Sequence, residues 1–199
     1  MHNVQLTGVL LIVGSALFLF SAFAMPGVSR IYMESSAAGR IQIVQTYPST
    51  WILHNILFLL GSTITAVALV QLTSLLPNHN GKLWLWLGAL FILLAVIPWD
   101  WHLMLRLIHP EAFARNALPI WLFPTFTLLT LSGLGMLGMG FLDTPLPIWL
   151  AWVHIGGAVL LVLLFGVFRD MPPFVYYLFT LTTGILCLQK GTFALLPGK

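Results

Sequence analysis

The chain alternates between six long apolar segments and shorter polar ones. A helix needs about 20 mostly apolar residues to cross a hydrocarbon core of about 30 Å. The segments lack the period-two alternation of a lipid-facing β-barrel, and in lipid every backbone polar group must be satisfied internally, so a helix is predicted for each. The predicted spans are residues 4–25, 51–76, 83–102, 119–142, 147–168 and 173–188.

The composition indicates that most of the surface faces lipid. Hydrophobic residues make up 59% of the 199 positions and charged residues only 7%, whereas a soluble domain carries about 25% charged residues. A soluble fold of this size would need a charged surface that this sequence lacks. We therefore predict one all-α domain over residues 1–199, a polytopic integral membrane bundle in a lipid bilayer. The single cysteine, Cys187, excludes an internal disulfide.

Six crossings would place both termini on one side of the membrane, here called side A, with side B opposite. The two longer connections, residues 27–50 and 103–118, would then both lie on side B. A surface helix is predicted within residues 29–47. A second helix start is predicted at Pro110, with Glu111 in its first turn.

The distribution of basic residues suggests an orientation. Cytoplasmic connections of membrane proteins carry an excess of Lys and Arg, so side B is predicted to be cytoplasmic and the termini extracytoplasmic. The first apolar run follows no basic segment and is longer than the apolar core of a signal peptide, which favours a retained helix. The short tails suit a bacterial inner membrane. Side B would carry Arg30, Arg40, Arg106, Arg115 and Arg169, and side A Lys82, Lys190 and Lys199.

A short internal similarity links the second and fifth spans. Trp51 is followed by His54, and Trp152 by His154, each at the start of an apolar helix. Three crossings per half would make the two halves inverted, as in many carriers. The match is short, and chance similarity between two Trp-flanked helices is the alternative.

Two histidines are candidates for a cofactor site because ionisable groups inside lipid are costly and often functional. His54 and His102 are predicted at similar depth near side B, on consecutive antiparallel helices. Bis-histidine haem b needs two such imidazoles and basic residues for its propionates, and Arg106 lies one turn beyond His102. The alternative is a pair of interfacial histidines bonded to water, backbone or headgroups.

The densest polar group in a span is the run Trp99-Asp100-Trp101-His102. Pro98 precedes it and is expected to break or kink the helix. Freed carbonyls, the Asp100 carboxylate and an imidazole at one level could bind a quinone head group or a proton. The alternative is an interfacial helix end, where Asp100 meets water and the tryptophans anchor in headgroups.

Small residues mark two helix contacts. His154 shares a helix face with Gly157 and Ala158, so it could bond across a close helix contact or bind a cofactor. The four glycines between Gly133 and Gly140 allow another helix to approach closely. That face could pack within the bundle, against a partner subunit or against a second copy.

The remaining chemistry is sparse. No Ser/His/Asp or Cys/His set predicts a catalytic residue, no spaced group predicts a metal site, and the pattern leans away from an enzyme. No basic tract indicates a nucleic-acid surface. Three hypotheses remain: a non-catalytic subunit or assembly partner of a larger membrane complex, a haem- or quinone-binding electron-transfer protein, and a small-solute carrier or channel.

Overall fold

The structure is a computed structural model that describes residues 2–76, 80–168 and 174–193. The described residues form an all-α bundle of eight helices without a strand, which confirms the predicted fold class. A short 3-10 turn, Ser29–Tyr32, follows the first helix. The helices are α1 (His2–Ala24), α2 (Ala37–Thr46), α3 (Pro48–Leu75), α4 (Lys82–Ile108), α5 (Pro110–Ala114), α6 (Leu122–Phe141), α7 (Ile148–Phe168) and α8 (Val175–Phe193).

Five helices in the described residues, α1, α3, α4, α6 and α7, are long and apolar enough to cross a membrane. The sixth predicted span corresponds to α8, whose apolar part, Val175–Gln189, is shorter. The start of that prediction, residue 173, lies outside the described residues. The chain therefore has the architecture of a multi-pass membrane protein. The sixth crossing, the membrane concerned and the orientation stay predictions.

The third span differs from its prediction in length. α4 runs without interruption through Pro98 and ends at Ile108, six residues beyond the predicted end at 102. Proline removes one backbone hydrogen bond, but helices in lipid tolerate this where neighbouring helices and side chains compensate. The predicted connection 103–118 is correspondingly shorter. The helix start predicted at Pro110 is confirmed by α5.

Close glycine contacts set the order of the helices. α1 packs between α3 and α8, α4 packs on α3 and α6, and α7 packs mainly on α6. A Cβ added at Gly88 would lie 2.8 Å from the Gly133 carbonyl oxygen, and one at Gly133 would lie 2.8 Å from that of Gly88. Gly8 and Gly184 show the same reciprocal contact between α1 and α8. Only glycine permits backbones this close.

The predicted arrangement of two inverted halves, α1-α3-α4 and α6-α7-α8, stays a prediction. In such an arrangement the contact of α4 with α6 corresponds to the contact of α8 with α1, and both are made by paired glycines. The arrangement departs from symmetry at α7, which contacts α8 only slightly, whereas α3 packs extensively on α4.

An aromatic core fills the bundle toward side B. It consists of Phe18, Phe58, Trp99, Phe126 and Tyr177, one ring from each of α1, α3, α4, α6 and α8. The rings of Phe18 and Tyr177 stack with centroids 3.7 Å apart, and those of Trp99 and Phe126 stack at 4.5 Å. Five helices are therefore joined at one level by direct ring contacts.

Residues 25–47 and 109–117, here called the cap, cover this end of the bundle. Arg40 joins the two parts by donating to the Asn116 side chain at 2.7 Å. A small second apolar cluster, which includes Val28, Ile31 and Trp51, packs the cap onto α3. Gly27, with φ at 75°, allows the turn that leads from α1 into the cap.

The glycine contacts predict unequal effects of one substitution at two positions. Gly88→Ala should lower the stability of the bundle by about 1–3 kcal/mol, because its methyl group meets the backbone of α6. Gly156 on α7 has nothing within 4 Å of an added Cβ. Gly156→Ala should leave the stability unchanged or raise it by up to about 1 kcal/mol through better helix propensity. Thermal unfolding of the purified variants in detergent measures both, and equal losses would contradict the packing.

Candidate functional site

The cap encloses an arginine. Because α4 extends past residue 102, Arg106 lies under the cap with 1% of its surface exposed. Its guanidinium carbon is 4.3 Å from the ring centroid of Phe113, 4.8 Å from that of Trp51 and 5.6 Å from that of Tyr32. These three rings form an aromatic cage that attracts the cation electrostatically.

No acidic side chain pairs with Arg106 among the described residues. The ion pair that the described residues show is exposed and joins Glu111 of α5 to Arg115, the residue that follows this helix. Arg106 makes one hydrogen bond, from Nη2 to the Tyr32 hydroxyl at 2.8 Å, and its Nε has no partner in the described part of the chain. A buried charge without a counter-ion is costly, and such a residue near a membrane interior is by default a functional candidate.

A chain of hydrogen bonds runs from Arg106 through Tyr32 and His54 to Ser21. The Tyr32 hydroxyl lies 2.8 Å from His54 Nε2, and His54 Nδ1 lies 2.9 Å from Ser21 Oγ. Ser21 Oγ also donates to the backbone carbonyl of His54 at 2.7 Å. The chain links α4, the cap, α3 and α1.

With a neutral His54, only one arrangement of protons satisfies every contact of this chain. Arginine can only donate, so the Tyr32 oxygen accepts from Arg106. Ser21 Oγ donates its one hydrogen to the His54 carbonyl, so it must accept from Nδ1, and a neutral ring then offers a lone pair at Nε2 to the Tyr32 hydrogen. Nε2 is then the acceptor nitrogen, and Nδ1 carries the ring proton and donates to Ser21. The geometry therefore assigns a neutral His54 to its Nδ1–H form.

The Tyr32 phenol is held in its protonated form. The side chain is 41% exposed, but its hydroxyl is enclosed between Arg106 and His54. Burial raises the pKa of Tyr32 above its ordinary value of 10.0, and the Arg106 charge and hydrogen bond oppose the shift only in part. At neutral pH the oxygen is thus a hydroxyl that accepts one hydrogen bond and donates another.

The haem hypothesis combined His54, His102 and Arg106. His54 is fully buried and both of its ring nitrogens are engaged, so an iron bond there would have to replace Tyr32 or Ser21. His102 stacks on Trp99, and its Nδ1 has no partner among the described residues. Haem binding stays a prediction that the contacts of His54 do not favour.

Asp100 lies within the continuous part of α4 and not at a helix end. It is half-buried, and one carboxylate oxygen has no hydrogen-bond partner in the part of the chain that the structure describes. It makes no ion pair with Arg106. The structure thus separates Asp100 from the charge of Arg106, which is buried nearly two turns further along the same helix.

His154 links α7 to α8 and is 1% exposed. Its Nδ1 lies 2.8 Å from the Leu150 carbonyl, and its Nε2 lies 3.3 Å from the Thr183 hydroxyl. Gly157 contacts Phe179 of α8. These contacts agree with the helix-packing alternative, and a cofactor at His154 stays a prediction.

The glycine face between Gly133 and Gly140 is covered within the chain. Gly133 and Gly140 contact Gly88, Ile92 and Leu85 of α4, while Gly138 contacts α7. These contacts account for the glycines without a partner protein. A partner or second copy on this face stays a prediction.

Sequence reasoning missed Tyr32, Ser21 and Phe113 at this site. One signal was present: Trp99, His102 and Arg106 share a helix face at spacings of three and four residues, which extends α4 past its predicted end. Tyr32 lies in the stretch 29–47 that is predicted as a surface helix, and nothing local marks it as part of a site.

No family model, curated protein or solved structure matches the chain. Among the described residues, no three His, Cys, Asp or Glu side chains meet in a way that could hold a metal ion. The most informative feature for function is therefore the geometry around Arg106.

The proton assignment predicts the state of one histidine. In protein labelled with ¹⁵N-histidine, the His54 signals should show a protonated Nδ1 and an unprotonated Nε2, because Tyr32 donates to Nε2. The pair of signals that disappears in His54→Gln identifies the residue. The exposed His109 serves as an internal control that exchanges freely with solvent. Protonation of His54 at Nε2 would contradict the assignment.

Proposed function

We propose that this multi-pass membrane protein binds a lipid-soluble molecule with a quinone-type ring beside Arg106 and His54. The observation that carries the proposal is the burial of Arg106, 1% exposed, with no acidic partner among the described residues. A chain that served only as a scaffold would gain stability from an apolar residue there. Retaining the charge suits a protein that uses it to hold a ligand oxygen.

The surroundings of Arg106 have the chemistry that such a ring needs. Trp51 Nε1 and Arg106 Nε are buried donors with no partner in the described residues, and ring oxygens are acceptors. The aromatic cage and aromatic core supply flat apolar faces for a ring. The lipid phase delivers such molecules directly to the bundle. Tyr32 and Phe113 belong to the cap, so the ligand reaches Arg106 when the cap moves outward.

Loss of the charge is expected to weaken binding without weakening the fold. Arg106→Met should bind tetramethylbenzoquinol and tetramethylbenzoquinone about 10- to 150-fold more weakly, the range for one charge-assisted hydrogen bond. Its unfolding temperature should be unchanged or higher, since the cost of burying the charge is removed. Quenching of tryptophan fluorescence in nanodiscs measures the affinity.

Arg115→Met is the matched control, because Arg115 is exposed and pairs with Glu111. It should bind both rings like the unmodified protein. Saturable binding of neither ring form, or equal affinities with and without Arg106, would exclude the proposed site.

A second candidate is membership in a larger membrane complex, which α7 supports. In its apolar window 28% of the residues are buried, against 39–50% in the other four spans, and Leu163 and Val167 are 63% and 74% exposed. A transmembrane partner helix could pack on this face. The carrier hypothesis has only the predicted inverted arrangement of the halves as support.

Native gels of gently solubilised membranes test the second candidate. The chain should migrate in an assembly larger than the purified 22.1 kDa protein, and Leu163→Trp should disrupt it, because the larger ring obstructs a close helix contact. Ile97→Trp on α4, at a position 62% exposed, is the matched control. Migration of the unmodified chain as a free monomer would count against a stable complex.

A further inference from the structure

We infer that the site selects the hydroxylated, reduced form of the ring, a quinol or other phenol, over the quinone. The Tyr32 hydroxyl fills the same position that the ligand hydroxyl would take. The inference rests on the proposed function and names the ligand class for it. It starts from the two bonds of the Tyr32 hydroxyl, to Arg106 Nη2 and to His54 Nε2, each 2.8 Å long.

The position between Arg106 and His54 requires an oxygen that both accepts and donates. Arg106 offers only hydrogens there, and His54 Nε2 offers only a lone pair. A phenolic hydroxyl satisfies both neighbours. A quinone carbonyl accepts from Arg106 but turns its own lone pairs toward Nε2, which leaves that buried nitrogen without a hydrogen bond.

Ser21 prevents His54 from adapting to a carbonyl. To donate from Nε2, the imidazole would have to give up the proton on Nδ1. Ser21 would then have to turn its hydrogen to Nδ1 and abandon the His54 carbonyl, to which it donates at 2.7 Å. One buried hydrogen bond is lost in either case. Since a buried hydrogen bond contributes about 1 kcal/mol or more, the quinol should bind about tenfold tighter than the quinone.

Tyr32 is placed so that a ligand can replace it. Ser21, His54 and Arg106 lie on α1, α3 and α4, which are held by glycine contacts and the aromatic core. Tyr32 belongs to the cap, at the end of the 3-10 turn, and the next residue, Met33, is 89% exposed. The hydroxyl can therefore leave with the cap while its three partners keep their positions.

The experiment replaces Tyr32 and supplies the phenol from solution. Tyr32→Ala should bind p-cresol, seen as a rise in unfolding temperature in nanodiscs, and should not respond to p-methylanisole. The two compounds share a ring and an oxygen, but the ether cannot donate to His54. Tyr47→Ala is the matched control, because Tyr47 is also a cap tyrosine, but its ring lies under the Arg30 guanidinium and outside the hydrogen-bond chain. This variant should not respond to either compound.

The ring forms are compared in the same variant. Tyr32→Ala should bind tetramethylbenzoquinol, kept reduced under argon, about tenfold or more tightly than tetramethylbenzoquinone. Adding Ser21→Ala frees the His54 tautomer, and the preference should then fall to about threefold or less. Tyr32→Phe, which keeps the ring and the packing of the cap, is the second variant. It should bind the quinol more tightly than the unmodified protein does, because the competing hydroxyl is gone.

The outcomes separate the two proposals. Preference for the quinol that depends on Ser21 supports the inference. Equal binding of both forms, or preference for the quinone, in Tyr32→Ala or in Tyr32→Phe overturns the selectivity and leaves the proposed function standing. Binding of neither form by any of these variants and by the unmodified protein overturns both.

Discussion

The burial of the Arg106 charge without a carboxylate partner is the constraint on which the side-B end of the structure depends. Within the described residues the charge is met by aromatic ring faces and one hydroxyl. Such contacts stabilise a cation more strongly when it is enclosed away from water. The cap supplies that enclosure. The burial of this charge accounts for three features: the aromatic cage, the connection between cap and bundle, and the tautomer of His54.

The bundle below the cap is built for fixed geometry. Reciprocal glycine contacts bring α4 against α6 and α8 against α1 at backbone distance, and interiors packed this closely do not deform continuously. Ser21, His54 and Arg106 are therefore held on three helices whose spacing cannot adjust to a ligand. The cap is joined to the bundle through a small apolar cluster and the Tyr32 hydroxyl. A rigid acceptor and a separate covering element are what a binding site with gated access requires.

The helical fold was predictable because the length of an apolar run is set by the bilayer, while the site was predictable only in part. His54 was a candidate because a polar group in an apolar span is expensive, and Arg106 was one because it lies one turn beyond His102, where it could meet haem propionates. The end of α4 was placed too early, since Pro98, Asp100 and His102 resemble a helix boundary unless the packing around them is known. Tyr32 could not be found, because its role depends on the cap folding back over α4, and a surface helix predicted within residues 29–47 does not indicate that contact.

The hydrogen-bond partner of Arg106 is a hydroxyl, which favours its replacement by a ligand hydroxyl. A glutamate on the cap would give the guanidinium a bidentate, charge-assisted partner and would close the site permanently. The chain presents a neutral phenol that accepts from Arg106 and donates to His54. A ligand hydroxyl can make the same two hydrogen bonds, so replacing Tyr32 costs little free energy beyond that of moving the cap. Natural proteins retain a loss of stability where function needs it. Here the loss comes from the buried charge of Arg106, and that charge is hydrogen-bonded to the exchangeable hydroxyl of Tyr32.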